Sequence, residues 1–266
     1  MIALLIQHGV MSSLTFTGVG AVLKPKIVIP QQFIHEQPIH HGEEFGVLCW
    51  NTQKLTETSD FQRVLAGILA SYPCLFLLLQ EAKLTPKNNW LLPQWSYAIA
   101  PNMQTRRSVY GVLTASQYAF TEAQTRLSRK REGMFATHKS YMLSYHALAE
   151  GGSLLVVNVH AMNFVRVNQF SQEIEFIKEE ILGHQGPLIV AGDFNVWSRQ
   201  RRLRLLQFCR SVGLRQAIMV DPHHIKTYRQ HPLDFIFYRD LSLQGTSAID
   251  TNKVSDHNPL YARFKL

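Results

Sequence analysis

Cysteine is scarce in this sequence, with three residues in a chain of 266. No Cys-x-x-Cys pair and no Cys/His ligand spacing occurs, which argues against a structural zinc site. Cys49 and Cys74 lie within apolar runs, as buried thiols do. Because the count is odd and a disulfide framework is disfavoured, we expect a reducing compartment and therefore a cytoplasmic protein.

Charged residues are missing from the beginning of the chain. Residues 1–23 contain no Lys, Arg, Asp or Glu, so the positive start of a secretory signal is absent. Polar residues such as Gln7, His8 and Ser12 also dilute the segment too much for a typical membrane span. We therefore assign residues 1–44 to an N-terminal leader of uncertain structure. Export or membrane attachment through this apolar segment is the alternative.

The sequence also lacks internal repeats and low-complexity tracts. Charges interrupt every other apolar run before about 18 residues, the length that a spanning helix needs. With 46% hydrophobic residues, the chain can bury a sizeable core. We therefore assign residues 45–266 to one domain.

Negative charge is in the minority, with 19 Asp and Glu against 27 Lys and Arg and a formal net charge of +8. A basic balance indicates an anionic partner such as nucleic acid, a phosphorylated small molecule or an acidic membrane surface. A merely basic surface is the alternative. No protein partner can be inferred from the sequence.

Short apolar runs alternate with segments of helical period. Helices are predicted for residues 60–70, for the segment from Phe170 to Ile181, and for the arginine-rich residues 201–212. Strands are predicted at 45–50, 74–79, 110–114, 141–147, 154–159, 188–191, 234–238 and 259–264. Residues 86–107 and 121–139 are the least regular and are predicted to be surface loops. The mixture favours an α/β protein whose sheets are covered by helices.

Polar side chains capable of chemistry follow or precede the predicted strands. They are Asn51, Glu81, His160, Asp193, Asn195, Asp234, Asp256 and His257. Strand ends of α/β sheets meet at one rim, where these groups could form a hard-cation site with acid–base groups. Taken singly, each has a structural explanation: Glu81 as a turn or cap acid, His160 as a core histidine, Asp193 as an Asx-turn.

Six motifs, LCWN, LLLQE, VNVHAMNF, VAGDFN, PLDFIFY and SDHNPL, resemble the endonuclease/exonuclease/phosphatase superfamily in order and spacing. The resemblance covers about residues 45–266, interpreted as the catalytic domain, and is strongest to the YafD-like bacterial branch. It implies a four-layer α/β sandwich of two packed mixed sheets flanked by helices. It also implies hydrolysis of a phosphoester with a divalent cation, Mg²⁺ or Mn²⁺.

The resemblance further implies which residues bind the metal. Glu81 matches the metal-binding Glu of the family, and Asn51 matches the Asn beside it. Asp256 matches a further carboxylate on the metal or water side. A cation at this position would neutralise the phosphate, whose charge otherwise repels the attacking oxygen.

On the phosphate side, the resemblance implies five catalytic residues. Asp193 matches the Asp that orients and deprotonates the attacking water, and Asn195 matches the amide that positions the phosphate. His257 matches the histidine that contacts the phosphate, and Asp234 the acid that holds it. His160 matches a second histidine near the phosphate.

Arginines are the candidate substrate-binding residues. They are Arg106, Arg107, Arg199, Arg201 and Arg202. The sequence departs from the family at Gln117, where many members have an arginine, so one of these side chains could supply that charge. The alternative for the cluster after residue 198 is a solvated helix face.

These observations leave three functions open. The first is a nuclease or phosphodiesterase acting on DNA or RNA. The second is a phosphatase or phospholipase C-type hydrolase acting on lipid or inositol headgroups, for which Trp90, Trp95 and the apolar leader could suit a membrane surface. The third is a non-catalytic binding protein, which is disfavoured because none of the matched residues is lost.

Overall fold

The computed structural model of the protein describes residues 3–5, 12–14, 31–85, 93–128 and 138–266. Their strands are, in chain order, β1 (Ala3–Leu5), β2 (Ser12–Leu14), β3 (Gln31–Gln32), β4 (Glu44–Asn51), β5 (Phe76–Leu84), β6 (Ser96–Gln104), β7 (Val109–Ser116), β8 (Phe120–Leu127), β9 (Ser140–Ala147), β10 (Ser153–His160), β11 (Leu188–Asp193), β12 (Arg215–Gln216), β13 (Thr227–Tyr228), β14 (His231–Pro232), β15 (Asp234–Arg239), β16 (Ser242–Ala248) and β17 (Leu260–Lys265). The helices are α1 (Ser59–Ser71), α2 (Val167–Leu182) and α3 (Arg199–Ser211), with a 3₁₀ turn at Pro222–His224.

Two mixed sheets form the centre of the domain. The six-stranded sheet has the order β12-β15-β11-β10-β9-β8, and the seven-stranded sheet has the order β16-β17-β4-β5-β7-β6-β3. Each contains a parallel pair, β10 with β11 and β4 with β5. Parallel neighbours need a crossover connection, and α2 and α1 provide it. β1 with β2 and β13 with β14 form two small separate ladders.

Alternating side chains on each central strand build the layers. On β4, Phe45, Val47 and Cys49 point between the two sheets, while Leu48 and Trp50 point to the side covered by α1. The inner strands of the six-stranded sheet do the same, with one face packed on α2 and α3. The order of layers is therefore helix, sheet, sheet, helices, which confirms the predicted four-layer α/β sandwich.

The helices begin and face inward for local reasons. The hydroxyl of Thr58 caps α1 by accepting a hydrogen bond from the Phe61 N–H. Ser198 caps α3 in the same way. Residues of α2 at the predicted spacing of four, three and four are buried against the six-stranded sheet: Phe170, Ile174, Ile177 and Ile181.

The two predicted surface loops were wrong in part, because each contains a strand. β6 lies between β7 and β3 and buries Tyr97 and Ile99, although Pro101 and nearby polar residues obscured this pattern. β8 is the edge of the six-stranded sheet, where polar residues can face solvent and leave no apolar alternation to read. Residues 86–92 and 129–137 of these segments lie outside the described residues.

The assignment of residues 1–44 to a leader stays a prediction, and most of that segment lies outside the described residues. Within 31–44, β3 pairs with β6, and Ile39 is buried in the core between the sheets. Trp95 is also buried, so it does not face a membrane surface as the lipid alternative supposed. No helix in the described part of the chain is long and apolar enough to cross a membrane.

A close backbone approach explains the glycine in the Gly-Asp-Phe-Asn motif. Gly192 has φ of 148° and pairs with Val159 of the neighbouring parallel strand. A Cβ atom on Gly192 would lie 1.9 Å from the Val159 carbonyl oxygen. Only glycine at this position therefore lets β10 and β11 stay paired as far as His160 and Asp193.

Gly192→Ala should destabilise the domain by at least about 3 kcal/mol, because the clash is with backbone that cannot rotate away. Urea unfolding followed by circular dichroism measures the change. Gly67→Ala in α1 is the matched control, since a Cβ there meets nothing within 4 Å. The control should gain about 0.5–1 kcal/mol from helix propensity. A Gly192→Ala protein as stable as wild type would contradict the interpretation.

Candidate active site

Three of the predicted residues stand in one row across the six-stranded sheet. His160 at the end of β10 is the register partner of Asp193 at the end of β11. Asp193 is in turn the partner of Asp234 at the start of β15. Register partners project to the same face of a sheet, so backbone pairing alone brings an imidazole and two carboxylates together.

The seven-stranded sheet contributes an amide to this row. Asn51, the last residue of β4, donates from Nδ2 to Asp193 Oδ2 at 3.0 Å. The other carboxylate oxygen of Asp193 accepts from the Asn195 N–H at 2.9 Å. Asn195 has φ of 51° and donates its own amide to the Ala161 carbonyl. The Asp193 carboxylate is thus held by one donor from each side.

His257 comes from the loop before β17 and completes the cluster. Trp50 Nε1 donates to the His257 carbonyl at 2.8 Å, and Ser255 Oγ donates to the Asn51 carbonyl at 2.7 Å. These bonds fix the loop against β4. The His257 Nδ1–H donates to Asp234 Oδ2 at 2.8 Å, and Nε2 lies 4.0 Å from Asp193 Oδ2. Nε2 is therefore the ring nitrogen available to a ligand.

A β-bulge turns Glu81 toward the same place. We expected the strand to end before Glu81, but β5 continues to Leu84. Residues 80 and 81 lie where the register with β7 shifts, and Glu81 has φ of 51°. Its carboxylate lies 3.8 Å from His160 Nε2, 3.8 Å from Lys54 Nζ and 4.0 Å from Lys139 Nζ. These distances exceed hydrogen-bond length, so the oxygens remain open to a ligand.

Burial and neighbouring charges determine the protonation of the cluster. Burial lowers the pKa of His257, but the Asp234 carboxylate, assisted by Asp193, outweighs this and raises it to about 9. Burial, together with the charge of Asp234, raises the pKa of Asp193 above its ordinary value. Burial and then the Lys139 ammonium lower the pKa of His160 well below 6.5. His257 is thus cationic at neutral pH, whereas His160 is a neutral ring.

These side chains open into one cavity of about 460 Å³. Its lining includes seven predicted residues: Asn51, Glu81, His160, Asp193, Asn195, Asp256 and His257. Asp234 stands behind His257, through which it acts on the cavity. A larger hollow of about 760 Å³ lies between α2 and strands β8 and β9, but none of the predicted site residues lines it. The predicted site residues therefore lie around the smaller cavity and not around the larger one.

The donors around this cavity fit a hard divalent cation. Carboxylate and amide oxygens come from Glu81, Asn51 and Asp193, and Mg²⁺ prefers such ligands. One atom each of Asp193, Asp234 and His257 also lies within 4.8 Å of the others, but the cationic His257 has no free lone pair to offer a metal. Asp234 Oδ1 is buried and finds no hydrogen-bond partner among the described residues. Asp256 fits less directly, because its side chain is 47% exposed and pairs with Lys226 at 3.2 Å.

The predicted arginines do not line this cavity. Arg106 and Arg107 are exposed on the turn between β6 and β7, and Arg199 and Arg202 are exposed on α3. Three lysines line it instead, Lys54, Lys139 and Lys226. Lys139 Nζ donates to His160 Nε2 at 2.9 Å because β9 starts beside the end of its antiparallel neighbour β10. Sequence reasoning missed these lysines because only the packing of strands and loops brings them to the cavity.

Arg201 was wrongly predicted to bind substrate. The side chain is 0% exposed, and its guanidinium donates to four backbone carbonyls. These belong to Met162, Asn163, Val165 and Asn195. The residue faces inward because α3 presents position 201 to the loop after β10. Its planar fork of donors ties that loop to the one carrying Asn195.

Known proteins resemble this chain over most of its length. The sequence pattern of the endonuclease/exonuclease/phosphatase family matches residues 48–257. A UPF0294 protein of Erwinia tasmaniensis is 35% identical over 254 residues, which are 92% of this chain and 87% of that protein. These matches confirm both the superfamily and the YafD-like bacterial branch that the motifs predicted.

Solved structures share the fold. An endonuclease/exonuclease/phosphatase from Beutenbergia cavernae has a TM-score of 0.65 at 14% identity, covering 84% of this chain and 72% of that one. D. rerio TDP2, solved in complex with a single strand DNA product, has a TM-score of 0.60 at 15% identity, covering 84% of this chain and 100% of that one. At these identities the likeness concerns the fold.

Asp234→Asn should lower the pKa of His257 from about 9 to below 6.5, because burial then acts without its main opposing charge. Titration of the His257 Cε1–H signal by NMR measures the shift. Asp240→Asn, an exposed change that touches none of these groups, is the control and should leave the signal unchanged. A His257 pKa near 9 in Asp234→Asn would show that the carboxylate is not what keeps the ring charged.

Arg201→Met should destabilise the protein by about 3 kcal/mol, because four buried or half-buried carbonyls lose their donor. Arg202→Met, one residue along on the exposed face of α3, should change stability by less than about 0.5 kcal/mol. Denaturant unfolding of both proteins provides the comparison. Equal stabilities would contradict the structural role of Arg201.

Proposed function

Because this chain belongs to the endonuclease/exonuclease/phosphatase family, whose members are hydrolases acting on phosphoesters, we propose that it is a divalent-metal-dependent phosphodiesterase that cleaves DNA or RNA. The observation that carries the proposal is the row of His160, Asp193 and Asp234, joined by Asn51 and His257 at one cavity. Residues from both sheets meet there although up to 206 positions separate them in sequence. Attack of water on a phosphodiester needs these types of group.

Asp193 is proposed to orient and deprotonate the attacking water. Its carboxylate is held by the Asn51 amide and the Asn195 N–H, so the lone pairs not used by these donors have a fixed direction. Its raised pKa brings its basicity closer to neutral pH, where a general base is most effective. The water proton would pass to this carboxylate as the new oxygen–phosphorus bond forms and the ester oxygen–phosphorus bond breaks, and the leaving alkoxide would take a proton from solvent.

His257 is proposed to donate to a phosphate oxygen. Its imidazolium is stabilised by the Asp234 carboxylate, which also fixes Nδ1 as the internal donor. Nε2–H is then left to meet negative charge that grows on the phosphate in the transition state. The neutral His160 accepts from the Lys139 ammonium and holds that cation beside the phosphate position. Asn195 is proposed to help position the phosphate.

Glu81 and Asn51, with Asp256 at the rim, are the residues that would hold the divalent cation, Mg²⁺ or Mn²⁺. When bound, such an ion supplies charge neutralisation for the phosphate and the leaving oxygen. The Glu81 oxygens are available for this ion because they lie beyond hydrogen-bond distance of Lys54, Lys139 and His160.

Nucleic acid is favoured as the phosphate source by charge and by similarity. The chain carries a net charge of +8, and three lysines line the cavity. D. rerio TDP2, which shares the fold, was solved with a single strand DNA product. A cytoplasmic location remains part of the proposal, supported by three cysteines that are all buried and unpaired.

The test is hydrolysis of a substrate panel by the purified protein with Mg²⁺ or Mn²⁺. The panel contains single-stranded and duplex DNA and RNA, abasic DNA, inositol phosphates and sphingomyelin. Asp193→Ala and His257→Ala should each lower the rate on nucleic acid by at least about 100-fold, whereas Arg202→Met should retain it. Full activity in either alanine variant, or hydrolysis of headgroups alone by wild type, would refute the assignment.

A further inference from the structure

Three aromatic side chains border the catalytic cavity, Phe164, Trp197 and Tyr228, and the first two lie in neighbouring loops. Phe164 follows β10 by four residues and Trp197 follows β11 by four residues, so parallel pairing brings the two loops together. Both residues line the cavity. Their ring centroids are 6.5 Å apart with an interplanar angle of 32°. Phe164 is 72% exposed, a large apolar surface at the edge of a polar site.

The buried Arg201 holds this aromatic pair in place. Its guanidinium carbon lies 4.5 Å from the Trp197 ring centroid and 4.7 Å from that of Phe170. The same guanidinium donates to the carbonyls on both sides of Phe164, those of Asn163 and Val165. The loops that carry Phe164 and Trp197 are therefore pinned to one interior group. Such preorganisation lowers the entropy lost when a ligand binds.

We propose that Phe164 and Trp197 form a stacking platform for an unpaired nucleobase beside the cleaved phosphate, so that the substrate is single-stranded nucleic acid or an unpaired end. This inference rests on the proposed function and narrows its substrate. A base has a flat π-face that suits an exposed aromatic ring, and stacking of this kind tolerates any sequence. Bases within a duplex already stack on their neighbours and offer no free face.

The chemistry around Phe164 favours a base over a lipid. Insertion into a membrane needs several apolar side chains on one surface. The neighbours of Phe164 are the polar Asn163, the buried Val165 and the exposed Arg166. The cavity beside the ring also carries the ammonium groups of Lys54, Lys139 and Lys226, which suit the phosphates on each side of a nucleotide. An exposed aromatic platform next to several cations matches a base attached to a charged backbone.

The decisive experiment compares aromatic with non-aromatic side chains at position 164. Phe164→Ala and Phe164→Leu should each lower kcat/KM on a single-stranded oligonucleotide about 10-fold, mainly through KM, because stacking is lost. Phe164→Tyr should retain wild-type values. Ile218→Ala is the matched control, since Ile218 is 74% exposed but does not line the cavity. It should leave kcat/KM unchanged.

A second substrate removes the base instead of the ring. An oligomer of the same length that lacks all bases should be a poorer substrate for wild type by a similar factor. Phe164→Ala should cause no further loss on this oligomer, because the ring then has no partner. Equal losses on both oligomers, or wild-type activity of Phe164→Leu, would overturn the platform. A preference of wild type for duplex over single strands would overturn it as well.

Binding in the absence of divalent metal separates this inference from the proposed function. A fluorescein-labelled single-stranded oligonucleotide and phosphatidylserine-containing vesicles serve as probes. If Phe164→Ala and Phe164→Leu weaken oligonucleotide binding, the platform is supported even when no nucleic acid is cleaved. The absence of cleavage would refute the proposed function alone. Binding to vesicles only, with Phe164→Leu equal to wild type, would identify the ring as a lipid contact and end the proposal.

Discussion

The backbone pairing of β10, β11 and β15 is the constraint on which the site depends. It sets His160, Asp193 and Asp234 side by side in one row. The pairing requires Gly192, because any side chain there would meet the Val159 carbonyl. Burial, together with repulsion from the neighbouring Asp234 carboxylate, raises the pKa of Asp193, and the two carboxylates make a cationic His257 favourable. The electrostatics of the cluster therefore follows from sheet geometry.

The seven-stranded sheet supplies the other wall of the cavity that this row of residues borders. Asn51 reaches Asp193 from β4, and Trp50 and Ser255 bind the loop of His257 to the same strand. On the opposite side, Arg201 joins the loops that follow β10 and β11. The groups that meet the proposed phosphate are thus supported by buried hydrogen bonds from two directions. Such support keeps functional side chains in one geometry.

Sequence patterns were informative where a signal is local. The spacing of Phe170, Ile174, Ile177 and Ile181 predicted α2, and apolar runs predicted the inner strands. Edge strand β8 was not predicted from the sequence because polar side chains cover its exposed face. The bulge at Glu81 was not predicted either, because it depends on how β5 pairs with β7 and not on the residues of β5 alone. Local propensity contains no information about register with a distant strand.

The sequence by itself determined the fold class, the three helices, most of the inner strands and the identity of eight polar residues that the family motifs single out. Only the tertiary structure decided which of them meet, which nitrogen of His257 is available to a ligand, and that lysines rather than the predicted arginines line the cavity. It also moved Arg201 from the surface to the interior. The reason is physical: distances between residues more than a hundred positions apart, and the burial that shifts their pKa values, arise only when sheets pair and layers pack.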